Sequence, residues 1–197
     1  MAGVPEVIDV PAAGLVLRRW RADDAAGLLA ALERSLPELR RFMPWAIEEP
    51  SLETVGAYLA HSCEPPATFG FGLFDPAGEV VGGFGLHGRR GPGILEIGYW
   101  VRSDRTGRGY ATAAAGALAD AGLDAFRAAF RVEIRCDEAN AASAAVAAKL
   151  GFQLAVAVDV EVHAAAQTGV QQVWAATRTT WRPSAGRPAP PAGRTPR

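Results

Sequence analysis

Cysteine, histidine and long apolar runs are all scarce in this 197-residue chain, and each scarcity closes off a class of protein. Two cysteines, Cys63 and Cys136, are too few for a disulfide framework, and with three scattered histidines they form no metal-ligand spacing. Cys136 lies in an apolar strand pattern and reads as a core residue. No stretch approaches the ~18 apolar residues of a transmembrane helix. The acidic segment from Met1 to Asp9 lacks the basic-then-apolar pattern of a secretory signal, so a cytoplasmic protein is expected. Net charge is small too, at −1. It hides a tail, Arg182 to Arg197, with four arginines and no acid, so the rest of the chain sums to −5. A mildly acidic body argues against a nucleic-acid partner, and without a transmembrane run no membrane partner is expected.

What is present suffices for one ordinary globular domain: 49% hydrophobic and 21% charged residues. Alternation over residues 15–20 predicts a first strand after Gly14. Asp23 or Asp24 caps a helix with Leu28, Leu29, Leu32 and Leu36 in its stripe, Pro37 marks a break, and a short helix runs to about Met43. Ser51 opens a third helix carrying Val55, Tyr58 and Leu59. The period then changes to two. Residues 68–74 and 79–87 form a hairpin about Asp75-Pro-Ala-Gly78, and a strand follows at 94–101. An alanine-rich helix from Gly107, a strand at 131–136, a helix from Asn140 to Leu150 closed by Gly151, and strands near 153–161 and 170–177 complete the order. This is an α+β chain with one sheet of six or seven strands and four or five helices. Residues 1–13 are expected to be a flexible N-terminus, 14–181 the domain, and 182–197 a disordered Pro/Arg-rich tail.

Two glycine patterns invite a phosphate reading. Gly83-Phe-Gly85-Leu-His-Gly88 spells a dinucleotide fingerprint, but no helix follows to hold a pyrophosphate, so close packing or a bulge is the better reading. The second, Asp104-Arg-Thr-Gly107-Arg-Gly109, stands between a strand and a helix. There backbone N–H groups and a helix dipole converge on one anion, and Arg102, Arg105 and Arg108 add positive charge. In the strand before it, Glu96, Gly98 and Trp100 share one face and Ile97, Tyr99 and Val101 the other. The second set reads as core, the first as a cleft wall. Asn140 is an N-cap by type, and Ser143 lies on the buried stripe of its helix and needs a partner.

Taken together, Glu96-Ile-Gly-Tyr-Trp-Val101, Thr106-Gly-Arg-Gly-Tyr-Ala-Thr112, Cys136-Asp-Glu-Ala-Asn-Ala-Ala-Ser143 and Lys149-Leu-Gly-Phe152, in this order and spacing, resemble the GNAT superfamily of acetyl-CoA-dependent N-acetyltransferases. The resemblance covers about residues 14–181 and is strongest to the RimJ/RimL branch, the ribosomal-protein N-terminal acetyltransferases. It implies the GNAT fold, with a mixed, mostly antiparallel sheet, and acetyl-CoA as cofactor. The partners implied are acetyl-CoA and an amine acceptor, a protein N-terminus or a small molecule, for a monomer or homodimer. It implies that Val101, Arg102, Arg105, Thr106, Gly107, Arg108, Gly109, Tyr110 and Ala111 hold the pantetheine and pyrophosphate. Asn140 would bond the pantetheine, Ser143 would protonate the leaving thiolate, and Glu96 would act as general base, with Asp159 and Glu161 in reserve. Glu33, Arg41 and Trp45, from the first helices and their loop, would contact the acceptor. Asp104 and Thr106 depart from the superfamily pattern, and Ala147 stands where many relatives have a tyrosine acid. A non-catalytic acyl-CoA-binding module on the same fold is the competing reading.

Overall fold

The computed structural model describes residues 3–62 and 68–183. Eight strands form one sheet: β1 (Val7–Val10), β2 (Leu15–Arg19), β3 (Thr68–Phe74), β4 (Val80–His87), β5 (Ile94–Val101), β6 (Arg131–Asp137), β7 (Gln153–Asp159) and β8 (Val170–Thr177). Their spatial order is β1-β2-β3-β4-β5-β6-β8-β7, and only the β5–β6 pair is parallel. The helices are α1 (Ala25–Glu33), α2 (Leu36–Phe42), α3 (Leu52–His61), α4 (Tyr110–Ala125) and α5 (Ala141–Lys149).

The strand β1 corrects the sequence reading, which places residues 1–13 outside the domain and stops at seven strands. Val-Ile-Asp-Val is too short to carry a periodic signal of its own. It is held by the ladder to β2 and by burial of Val4 and Val10. Of the tail, only Arg182 and Pro183 fall within the described residues, and Cys63 lies outside them.

The sheet separates two apolar layers. On one side α4 and α5 pack Ala114, Ala115, Leu118, Ala119, Leu123, Ala147 and Leu150 against Phe71, Phe84, Ile97 and Val132. On the other, α1, α2 and α3 pack Leu28, Leu32, Leu39, Val55 and Leu59 around Trp20, Phe74 and Val80. Ser51 caps α3 as its residue type predicts, its Oγ accepting from the Thr54 N–H at 3.2 Å. Among the described residues no helix is long and apolar enough to cross a membrane.

One irregularity positions everything that follows. The β5–β6 register runs only from Ile94–Arg131 to Glu96–Glu133. Beyond it β5 continues to Val101 and β6 to Asp137 without pairing with each other. The sheet therefore opens like a V whose apex is at Glu96 and Glu133.

Candidate active site

The V opens into a cleft of about 810 Å³. One wall is the face of β3, β4 and β5 that looks toward α1–α3. Its residues fall into three cross-strand rows: Thr68–His87–Glu96, Gly70–Gly85–Gly98 and Gly72–Gly83–Trp100. Five of these nine positions are glycine; Gly72 lies under Trp20 and Phe74, and the other four make a low floor to the cleft. A Cβ on Gly85 would stand 2.5 Å from His87 Nε2, and one on Gly83 would stand 2.5 Å from Trp100 Nε1. The rejected dinucleotide pattern thus has a use: its glycines make room for His87 and Trp100. The opposite wall comes from Arg135, Cys136, Asp137, Asn140 and Ser143, on β6 and the start of α5.

The turn between β5 and α4 has the geometry of an anion cradle. Gly107 and Gly109 both adopt left-handed backbone, with φ of 74° and 78°, which glycine alone reaches without strain. The N-cap of α4 is Gly109, and no side chain caps it. None of the backbone N–H groups from Gly107 to Thr112 makes a hydrogen bond among the described residues. A 16-residue helix thus ends in free donors behind two glycines.

The arginines of this turn are divided differently from the sequence expectation. Arg102 is buried, and its guanidinium donates to Asp104 (2.6 and 3.2 Å), to Glu79 (3.4 and 3.5 Å) and to the Val80 carbonyl (3.1 Å). Arg105 turns to Glu79 (3.3 Å) and Asp75 (3.7 Å). These two side chains are paired with carboxylates that tie the turn to the β3–β4 hairpin, where the sequence expectation gave them to the cofactor. Asp104, a departure from the superfamily pattern, holds Arg102, while Glu79 and Asp75 hold Arg105. Arg108 alone of the three is exposed with no ion partner among the described residues.

Asn140 caps α5 as expected, its Oδ1 accepting from the Ser143 N–H at 3.1 Å. Ser143 finds its partner across the V: its Oγ lies 2.9 Å from the Tyr99 hydroxyl. Tyr99 itself stacks on Phe84, with ring centroids 5.6 Å apart. Burial raises the Tyr99 pKa well above that of an ordinary phenol, so it stays protonated. Burial also raises the Cys136 pKa, with the Ser143 hydroxyl easing it slightly, which keeps this cleft-lining cysteine a thiol.

Glu96 lies on the cleft wall, 5% exposed. Its Oε1 accepts from Arg89 at 2.6 Å, its Oε2 from Arg90 Nε, and Arg135 Nε stands 4.0 Å from Oε2. Burial pulls the Glu96 pKa upward, but the bonds from Arg89 and Arg90 outweigh it and leave it below an ordinary glutamate. A carboxylate held this way is a weak proton acceptor. Asp159 and Glu161 are exposed at the β7 end of the sheet and do not line the cleft. Of the acceptor-contact residues, Trp45 stands on the rim, 54% exposed. Glu33 and Arg41 lie outside the cleft; Arg41 sits over the Phe42 ring at 5.4 Å. These two stand outside because α1 and α2 turn their Leu28, Leu32 and Leu36 faces inward, which turns the charged positions away.

Sequence reading missed His87, Arg89, Arg90 and Tyr99. The signal was there for the first: a histidine ending a strand whose alternate positions are glycine belongs to the face the glycines open.

Residues 14–153 match the family model of the acetyltransferase (GNAT) domain, and the chain belongs to that family. No curated protein matches the chain in sequence. Among solved structures it is similar to RimL, a ribosomal α-N-protein acetyltransferase determined with coenzyme A disulfide-bonded to one of its cysteines (TM-score 0.78, 20% identity, 87% of this chain and 98% of that one). It is also similar to MccE, a microcin self-immunity acetyltransferase determined with acetyl-CoA and AMP (TM-score 0.79, 17% identity, 89% and 98%). RimJ of Mycobacterium smegmatis, determined with a CoA disulfide, is a third (TM-score 0.70, 24% identity, 88% and 86%). At these identities the likeness is one of fold.

Proposed function

We propose that this GNAT protein transfers an acetyl group from acetyl-CoA to a primary amine within a ternary complex. The observation that carries the reading is the V between β5 and β6, which opens into a walled cleft, with the uncapped N-terminus of α4 on the chain directly after β5. Coenzyme A fits this shape. Its pyrophosphate meets the free N–H groups of Gly107 to Ala111, with Thr106 and Arg108 beside them. Arg102 and Arg105 serve by holding the turn rather than by touching phosphate. The pantetheine runs along the unpaired edge of β5 at Val101 toward Asn140, as an added strand would.

In this reading the acceptor amine enters from the α1–α3 side, past Trp45, and attacks the thioester carbonyl. A backbone N–H of the β5 edge steadies the oxyanion. The thiolate takes its proton from Ser143, whose hydroxyl is hydrogen-bonded to the protonated Tyr99 phenol. Glu96 keeps Arg89 and Arg90 in the acceptor wall; to serve as base it needs a bridging water or displacement of an arginine.

The test is free-thiol release from acetyl-CoA with an N-terminal-serine decapeptide, spermidine and kanamycin as acceptors, each product confirmed by mass. Acetylation of any one is the expected result. Tight acetyl-CoA binding with no thiol release from all three would establish the binding-module alternative.

A further inference from the structure

The proposed acetyl transfer leaves the proton of the attacking amine without a well-placed acceptor, and the inference here rests on that reading. From the geometry we infer that His87 is the general base of the acceptor wall and that Thr68 sets its tautomer.

Four observations converge. The His87 ring lies on the cleft floor over Gly85, with its Nε2 3.6 Å from where a Gly98 Cβ would stand, at the strand position next to the apex of the V. Its Nδ1 is 3.3 Å from Thr68 Oγ1, whereas Nε2 makes no hydrogen bond among the described residues. In the tautomer that donates from Nδ1–H to the threonine oxygen, the Nε2 lone pair faces the cleft. The neighbouring carboxylate, Glu96, has both oxygens occupied by Arg89 and Arg90. Lastly, burial lowers the His87 pKa below 6.5, and the positive charge of Arg89 adds to the effect, so the ring is neutral at pH 7 and able to accept a proton.

The step balances without a further reactant. The amine nitrogen forms a bond to the thioester carbon while one N–H proton passes to Nε2. The tetrahedral intermediate collapses, the C–S bond breaks, and the thiolate takes a proton relayed through the Ser143 hydroxyl, which regains one from solvent. The imidazolium then returns its proton to solvent. The charged and titratable groups sharing the cleft with His87 are Arg89 and Arg90 on the following loop, Glu96 and Tyr99 on β5, Arg135, Cys136 and Asp137 on β6, Glu48 and Glu49 before α3, Tyr58 and His61 on α3, and His163 before β8. Of these, Glu96 opposes the shift and the two loop arginines reinforce it.

The experiment compares the wild-type protein, His87→Gln, His87→Ala and Thr68→Val. The acceptor is whichever of the serine peptide, spermidine and kanamycin the wild type acetylates fastest, measured from pH 5 to 9. The wild type should show an acid limb in kcat/KM with a midpoint below 6.5. His87→Gln should lose about 10²-fold in kcat and lose that limb, with acetyl-CoA affinity within about twofold. Imidazole should restore acetylated product at least tenfold in His87→Ala. Thr68→Val should lose roughly tenfold in kcat through the wrong tautomer, and it reports if the His87 variants fail to bind acetyl-CoA. His87→Gln that turns over within threefold of wild type with the acid limb intact overturns the inference alone. Wild type that acetylates none of the three probes overturns the proposed function and the inference together.

Discussion

The strands β3, β4 and β5 present two faces that could hardly differ more. Toward α4 they carry Phe69, Phe71, Leu73, Phe84, Leu86, Ile97 and Tyr99, packed as a continuous core. Toward α1–α3 they carry Thr68, Gly70, Gly83, Gly85, His87, Glu96, Gly98 and Trp100 along the cleft, while Gly72, Phe74 and Val80 meet the apolar layer around Trp20. The two sets alternate residue by residue along the same backbone, so strand periodicity alone sorts them. The lesson is that a sheet can assign stability to one face and chemistry to the other. Glycine on the chemical face gives up packing energy to leave room for a substrate and for the rings of His87 and Trp100. The variants below probe that division, from the largest expected effect to the smallest.

The packed face should break first and break as stability. Phe71 is fully buried at 0% exposure. Phe71→Ala should cost about 3–5 kcal/mol, a third or more of the stability of a typical domain. Urea denaturation should show the midpoint fall, and activity should fall only in proportion to the folded fraction.

The open face should break as activity. In Gly85→Ala the new Cβ meets His87 Nε2 at 2.5 Å and Cε1 at 2.9 Å. The ring is a side chain and swings aside at modest cost, so the thermal midpoint should move by only a few degrees, the equivalent of about 1 kcal/mol. Turnover should fall by roughly tenfold to a hundredfold as the base leaves its place. A variant that loses stability and keeps its rate per folded molecule would contradict the division of labour between the faces.

Glu96→Gln lies between these extremes, because this carboxylate serves both. Its folded-state pKa is depressed, so the stability it contributes is present above the ordinary carboxylate pKa of about 4.3 and lost as pH falls through the lowered value. The substitution should cost about 1–2 kcal/mol at pH 7, with Arg89 and Arg90 half exposed and able to rehydrate. The acid limb of the stability curve should flatten accordingly. Turnover should fall about tenfold, less than in His87→Gln, because the arginines shift and the base remains.

How far the sequence carries a reader follows from the range of the interactions involved. The strand-turn-helix at 95–112, the Asn140 cap and the α4 and α5 stripes are local, and periodicity and cap chemistry disclose them. The splitting of β5 from Glu96 into a core face and a cleft face is also local, since alternation reveals it. The rest depends on partners distant in sequence. Ser143 needed Tyr99, 44 residues away. Arg102 and Arg105 look like phosphate ligands until Glu79 and Asp75, on the neighbouring hairpin, are seen to claim them. Strand β1 exists only because β2 is there to pair with it. His87 was hidden for another reason: a glycine-rich strand resembled a nucleotide motif, and rejecting that motif also set aside the question of what the glycines were for.

The smallest effect should come from Ser143→Ala, and its smallness is informative. The residue sits on the packed side of β5, bonded to Tyr99. A thiol with a pKa near 8.5 is already a good leaving group, so removing its proton donor should slow turnover only about three- to tenfold. Tyr99 would lose its best partner and keep a long donation to the Ser143 carbonyl at 3.4 Å. The stability cost should therefore stay near 1 kcal/mol. The decisive measurement is the shape of the pH profile rather than its height. The acid limb below pH 6.5, assigned to His87, should survive in Ser143→Ala and vanish in His87→Gln, because proton removal belongs to the glycine face and proton delivery to the packed one. If Ser143→Ala also erased the acid limb, the two proton transfers would share one group, and the two faces would not be chemically separate.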